Sequence, residues 1–246
     1  MKRSLLKIES NAKSASETPK TVSEAIYRRL RDDIVWGRLP PGAALRSDEL
    51  RASYGVGISP LRESLSRLVS ERLVTSIGQR GFRVAALTVE DVRDILEARL
   101  VIESHALSAS IRNGGIPWER ELVASFHSLS RASIPRGPGH EAETWAAYHR
   151  QFHMALIAAC KSRWLLELAG LLFDQAERHR AVRAMIVPRP RLTRDASSEH
   201  KKIFEAAIDR NVKRALTALE AHYRTTAEHV ISALEHVPKL KRRGKK

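Results

Sequence analysis

A single cysteine, Cys160, in 246 residues excludes an intrachain disulfide and any thiolate metal cluster. Long apolar runs are also missing. The longest, Met154 to Cys160, is far short of the roughly 18 to 20 residues that a membrane-spanning helix needs. The opening residues carry Lys2, Arg3 and Lys7 with no sustained apolar stretch behind them, so no secretory signal is read and a cytoplasmic address is expected. No His-Glu-x-x-His motif is present to supply a hydrolytic metal site with its general base. Acidic residues are in deficit as well, 28 against 43 Lys plus Arg, for a formal charge of +15. Apolar residues still reach 43%, enough for a buried core, so a soluble globular chain of one or two domains is expected.

The surplus positive charge is unevenly placed: +7 over residues 1–88, +2 over 89–238 and +6 in the last eight residues. Phosphate neutralisation favours a nucleic-acid contact by the N-terminal part, against the alternative of an ordinary solvated basic face. All ten histidines lie between His105 and His236, in the other part of the chain. The two regions differ in chemistry.

Residues 1–20 lack periodicity and read as a flexible arm, and 239–246 as a basic tail. Between them, 21–88 predicts a DNA-binding domain. Val22, Ile26, Leu30 and Ile34 mark one helical face, and a short helix over 47–54 runs into the turn Gly55-Val56-Gly57. A third helix is expected to open with Ser59 as N-cap and Pro60 at its first position, burying Leu61, Leu65, Leu68 and Val69. A two-stranded hairpin follows, Val74–Ile77 and Phe82–Val84 around Gly78-Gln79-Arg80-Gly81. This order is that of a winged helix-turn-helix, whose helix after the turn enters the major groove. Arg62 then stands near base edges and can pair bidentately with guanine, or else forms a surface ion pair; Arg80 sits in a turn suited to close approach to DNA.

From residue 89 to about 238 the pattern is helical, with helices expected over 89–113, 117–132, 141–160, 163–186, 194–209 and 211–234. His149 and His153, spaced i and i+4, share a face with Trp145 and Phe152 and can chelate one ion. His200 and His222 sit on apolar stripes of two further helices. Either these rings converge on a metal, or each finds its own buried partner. Arg99, on an inward stripe, either pairs with Glu103 one turn later or clamps the carboxylate of a bound acid.

The stretch Leu50 to Leu73, centred on Tyr-Gly-Val-Gly-Ile-Ser-Pro-Leu-Arg-Glu-Ser-Leu, resembles the recognition segment of the GntR family of bacterial transcription regulators. The resemblance implies that Ser59, Arg62, Arg80 and Gly81 contact DNA. Gly57 and Ile58 depart from it, standing where the family has Ser or Thr followed by Arg. Residues 91–230 resemble the all-helical ligand-binding domain of the FadR-type branch, through Asp94 to Glu103, Gln151-Phe152-His153, Glu199-His200 and His222. That branch holds a divalent metal through an Asp and three His, which implies His153, His200 and His222 as ligands here. His149 occupies the Asp position. An all-imidazole set favours Zn or Ni over Mg or Ca. The local pattern His-Arg-Gln-Phe-His resembles a branch that senses dicarboxylates such as glutarate.

The expectation is a mainly α protein: a winged helix-turn-helix with a small β-hairpin, then an all-α helical bundle over 89–238. Its expected function is a homodimeric repressor whose affinity for a double-stranded DNA operator is set by a small carboxylate effector at a metal and Arg99. The alternatives are a metal-dependent enzyme using the histidines and a nonspecific architectural DNA-binding protein.

Overall fold

The computed structural model describes residues 21–78, 81–133, 140–186 and 195–236. Helix α1 (Val22–Val35) starts where the Thr21 hydroxyl accepts the Glu24 N–H at 3.1 Å, and buries Ile26, Leu30 and Ile34. Helix α2 (Ser47–Tyr54) stops at Gly55, whose left-handed backbone (φ 67°) would strain any residue with a Cβ. Helix α3 (Ile58–Ser70) begins two residues earlier than expected. Gly57 is its N-cap, in extended conformation and with no side-chain bond, while Ser59 and Pro60 lie inside the first turn. Pro60 is tolerated there because the first four helical N–H groups have no intrahelical partner to lose.

The hairpin is present as strands β2 (Val74–Ser76) and β3 (Phe82–Val84), antiparallel with Val74 opposite Val84. It is not alone: β1 (Ala44–Leu45) pairs with the other side of β3, giving a three-stranded sheet in the order β1-β3-β2. Leu45, Val74 and Val84 close over Leu30, Leu61, Leu65 and Leu68 to form the first hydrophobic core. Each leucine of α3 contributes on the order of 1.5 to 3 kcal/mol by leaving water.

The remaining helices are α4 (Val89–Asn113), α5 (Ile116–Arg131), α6 (His140–Ile157), α7 (Arg163–Ile186), α8 (Ala196–Ile208) and α9 (Val212–His236). Helix α6 ends three residues sooner than expected, so Cys160 lies beyond it and is buried. Helix α4 packs on α7 and α9, α8 on α9, and α5 on α6, around a second core containing Leu107, Leu122, Phe152, Leu156, Ile203 and Leu219. The α4–α5 corner is tight: a Cβ on Gly114 would come within 2.5 Å of the Trp118 ring, whose Nε1 donates to the Ala155 carbonyl at 2.9 Å. Among the described residues, no helix is long and apolar enough to cross a membrane. The arm at 1–20, Arg80 in the wing turn and the tail at 239–246 lie outside the described residues.

Candidate metal centre and nucleic-acid interface

Helices α6, α8 and α9 bring His149, His153, His200 and His222 together, all buried, with one ring nitrogen from each within 4.8 Å of the others. Imidazoles from three sequence-distant helices share this cluster because each lies on the apolar face of its helix. Tetrahedral zinc–imidazole bonds of about 2.0–2.1 Å put ligand nitrogens roughly 3.4 Å apart, so the four rings would close by on the order of an ångström around one ion.

Hydrogen bonds decide which ring nitrogen carries the lone pair. Tyr223 donates its single hydroxyl hydrogen to Glu103, which is ion-paired with Arg99 through a 2.6 Å contact to Nε. The His153 Nδ1, 3.2 Å from that phenolic oxygen, therefore acts as the donor, which leaves the lone pair on Nε2. That Nε2 is buried with no hydrogen-bond partner. A buried, unsatisfied acceptor inside a cluster of imidazoles is an arrangement that a cation relieves. His222 is set in the same way, its Nδ1 lying 2.7 Å from a Glu199 carboxylate oxygen. His149 stacks on Trp145 at 4.5 Å and turns Nδ1 toward Glu177 at 3.5 Å; Arg180 pairs with that carboxylate and lies over the Trp145 ring. The donor set thus fits a divalent ion, with an acid or phenol behind three of its four imidazoles.

Burial keeps His149 and His153 uncharged. It lowers His149 to about 4 and pushes His153 well below the usual range, with the neighbouring rings adding to the effect on His153. Burial alone would raise the Glu177 carboxyl, but Arg180 and His149 hold it well below the ordinary value. Because the folded His149 value lies below the unfolded value of about 6.5, the unfolded chain binds more protons between pH 6.5 and 4. The metal-free protein is therefore expected to be most stable above pH 6.5 and to lose up to about 1.4 kcal/mol per buried imidazole for each pH unit below it. Urea unfolding at pH 7.5, 6 and 5 with chelator checks this. A flat profile would mean that the rings are solvated in the metal-free protein.

Arg99 is buried at 7% exposure, with its guanidinium 3.8 Å over the Tyr223 ring and its Nε committed to Glu103. The i to i+4 pairing foreseen from spacing is present. Tyr223, Glu177 and Arg180 were not foreseen; the signal available was that Tyr223 adjoins His222 and that Phe173, Glu177 and Arg180 repeat along one face of α7.

The adjoining surface of α7 meets the N-terminal elements. Asp174 holds Arg31 of α1 at 2.6 Å and Arg150 of α6 at 3.1 Å. Gln175 donates to the Glu71 carbonyl at 2.7 Å, Arg178 to the Ala85 carbonyl, and His179 lies 3.3 Å from Asp91 at the start of α4. One helix therefore carries both residues backing the histidine cluster and the contacts to the winged elements.

On α3, Ser59 and Arg62 are exposed, and among the described residues Arg62 has no hydrogen-bond or ion-pair partner. Arg67, by contrast, is committed to Glu24 at 2.6 Å and stacks on Tyr27. Among the described residues, the surface ion pair considered for Arg62 does not form. Gly81 takes φ 89° at the wing turn, next in the chain to Arg80.

Residues 22–84 match the bacterial regulatory proteins of the gntR family, and residues 94–225 match the FCD domain. BphR of Paraburkholderia xenovorans, an HTH-type transcriptional regulator, is 37% identical over 205 residues, spanning 82% of each chain. The HTH-type transcriptional repressor GlaR of Escherichia coli is 35% identical over 200 residues, covering 81% of this chain and 91% of its own. The solved E. coli McbR/YncC shares the fold with a TM-score of 0.71 at 19% identity, over 87% of this chain and 99% of that one. With both halves matched, and the helix-turn-helix and histidine-bearing bundle in the same order, the chain belongs to the GntR family, in its FCD or FadR-type branch, and is a DNA-binding transcriptional regulator.

Proposed function

We propose that this chain is a cytoplasmic, homodimeric repressor whose operator affinity is set by a small carboxylate bound at a divalent metal. The observation that carries this reading is the cluster of His149, His153, His200 and His222, with Glu103–Tyr223 and Glu199 fixing the tautomers of two of its rings. These histidines are the proposed ligands. An ion held by four neutral imidazoles keeps its full charge, which suits Zn or Ni and attracts an acid; a dicarboxylate such as glutarate is the expected class. Arg99, beside the tautomer-setting Tyr223, is the proposed second cation for that acid. The winged part over 21–88 would read DNA through Ser59, Arg62, Arg80 and Gly81, and the helical part over 89–238 would sense and dimerise. The similarity to the repressor GlaR supports repression. The metalloenzyme alternative is disfavoured because Glu103, Glu177 and Glu199 each already bond a cation, a phenol or an imidazole. A nonspecific architectural role leaves the histidine cluster without a use.

Calorimetric titration of dicarboxylates and hydroxy acids into metal-loaded wild type and Arg99→Lys, which retains a cation for Glu103, tests the sensor half. Equal affinities would make Arg99 structural. For the DNA half, Arg62→Ala is expected to weaken a selected palindromic duplex by at least about 1 kcal/mol, some fivefold, and to relax base preference at one position in each half-site. Gel shifts at fixed salt with every base tested at each position measure both. Unchanged affinity and preference would remove α3 from the base-reading role.

A further inference from the structure

Ile58, the first residue of α3, is 45% exposed and takes no part in the hydrophobic cluster beneath that helix. Its neighbours on the same face are polar: Arg62 one turn later, without a partner among the described residues, and Ser66 one turn beyond. A β-branched hydrocarbon at that place adds nothing to the core and forgoes the favourable solvation that the adjoining positions enjoy. Side chains of a helix lean toward its N-terminus, so Ile58 projects past the end of α3, ahead of Arg62. With α3 in a major groove, this is the end that meets base edges. Ile58 can donate and accept no hydrogen bond, so neither phosphates nor the polar base edges satisfy it. The apolar group that the major groove of unmodified DNA presents is the C5-methyl of thymine.

We propose that Ile58 is a specificity-determining residue that reads a thymine methyl in each operator half-site, next to the base read by Arg62. The proposal rests on α3 being the recognition helix. Gly57 supports the close approach this requires. Its φ is −72°, and a Cβ there would meet nothing nearer than Pro60 Cδ at 3.8 Å, so neither backbone strain nor internal packing calls for glycine. What glycine leaves is open space on the outer side of the helix start.

The test uses the full-length protein and the duplex it selects from a randomised pool at fixed salt. Each thymine is replaced in turn by uracil, which removes the methyl and leaves the pairing edge intact. One position per half-site is expected to lose about fourfold in wild-type affinity, the equivalent of one buried methyl, and to lose nothing with Ile58→Ala. Ile58→Val should lie between them. Ile58→Arg should exchange the thymine preference for guanine. Because the side chain lies outside the core, these variants keep the wild-type unfolding temperature, which serves as the folding control. Uracil substitution that is neutral everywhere, or equally damaging to wild type and Ile58→Ala, overturns the proposal. If Arg62→Ala still relaxes one base in that case, α3 remains the reader and Ile58 alone is excluded; if Arg62→Ala is also silent, or no sequence is selected, the recognition-helix reading fails with it.

Discussion

Adding zinc to metal-stripped protein at neutral pH is expected to raise the unfolding temperature by about 10 °C, and His153→Ala is expected to abolish the rise. An ion that binds only the folded state at a thousand times its dissociation constant adds about 4 kcal/mol. For a chain of this length, each kcal/mol is worth about 2–4 °C. The effect should be large because the site is already built: buried imidazoles kept neutral by their surroundings need not shed protons to ligate, and Tyr223 and Glu199 have set two tautomers beforehand. Tyr223→Phe keeps all four histidines but removes the oxygen that fixes the His153 tautomer, and should weaken zinc by about 10- to 100-fold. Calorimetric unfolding with and without zinc, beside elemental analysis, decides the matter. Absence of stoichiometric metal, or a zinc shift that His153→Ala retains, would return the histidines to the role of hydrogen-bonded core residues.

Much of this centre can be read from helical spacing, and the remainder cannot, for a definable reason. The i to i+4 spacing of His149 and His153 and of Arg99 and Glu103 is enough to place each pair on one helical face, and in the fold each pair does lie together. Tyr223 is different, because its importance arises from what α4 and α6 bring against α9, more than a hundred residues from Glu103. Glu177 and Arg180 likewise gain meaning only once α7 lies beside His149. Long helices such as 89–113 and 163–186 are legible to the residue because their periodicity runs over many turns. Strand β1, at two residues, has no alternation to detect and exists only through its pairing with β3. Ser59 misled as a cap since a residue just ahead of a proline resembles an N-terminus wherever the first turn tolerates proline.

Asp174→Ala is expected to uncouple the helical bundle from the operator. In wild type, acid binding at the metal should change operator affinity by about 5- to 150-fold, the usual range of a coupling free energy of 1–3 kcal/mol; in the variant the ratio should approach one. Glu177, beside His149, and Asp174, 2.6 Å from Arg31 of α1, stand one turn apart on α7. Asp174 also bonds Arg150, the neighbour of His149 on α6, so this carboxylate touches both the helix that carries His149 and His153 and the first helix of the DNA-binding part. Burial works against the charge on Arg31, and Asp174 together with Tyr27 and Glu71 more than offsets it, raising the guanidinium above its ordinary range. Without Asp174, Arg31 and Arg150 are left, among the described residues, with only Glu71, at 3.8 Å from Arg31, as an acidic partner, and the docked arrangement of the winged part is expected to lose its preference. A ligand alters an equilibrium only through its different affinities for the two arrangements, so when one arrangement is no longer favoured at the α1–α7 contact, acid binding has nothing to report. The measurement is operator affinity at fixed salt with and without saturating acid, in metal-loaded wild type and Asp174→Ala, with zinc and acid affinities taken on the same samples. Those affinities should stay near wild type, since Asp174 contacts none of the four histidines. A variant that keeps the full acid-dependent ratio would place the coupling elsewhere, with the contact of Arg178 to the Ala85 carbonyl as the next path to break.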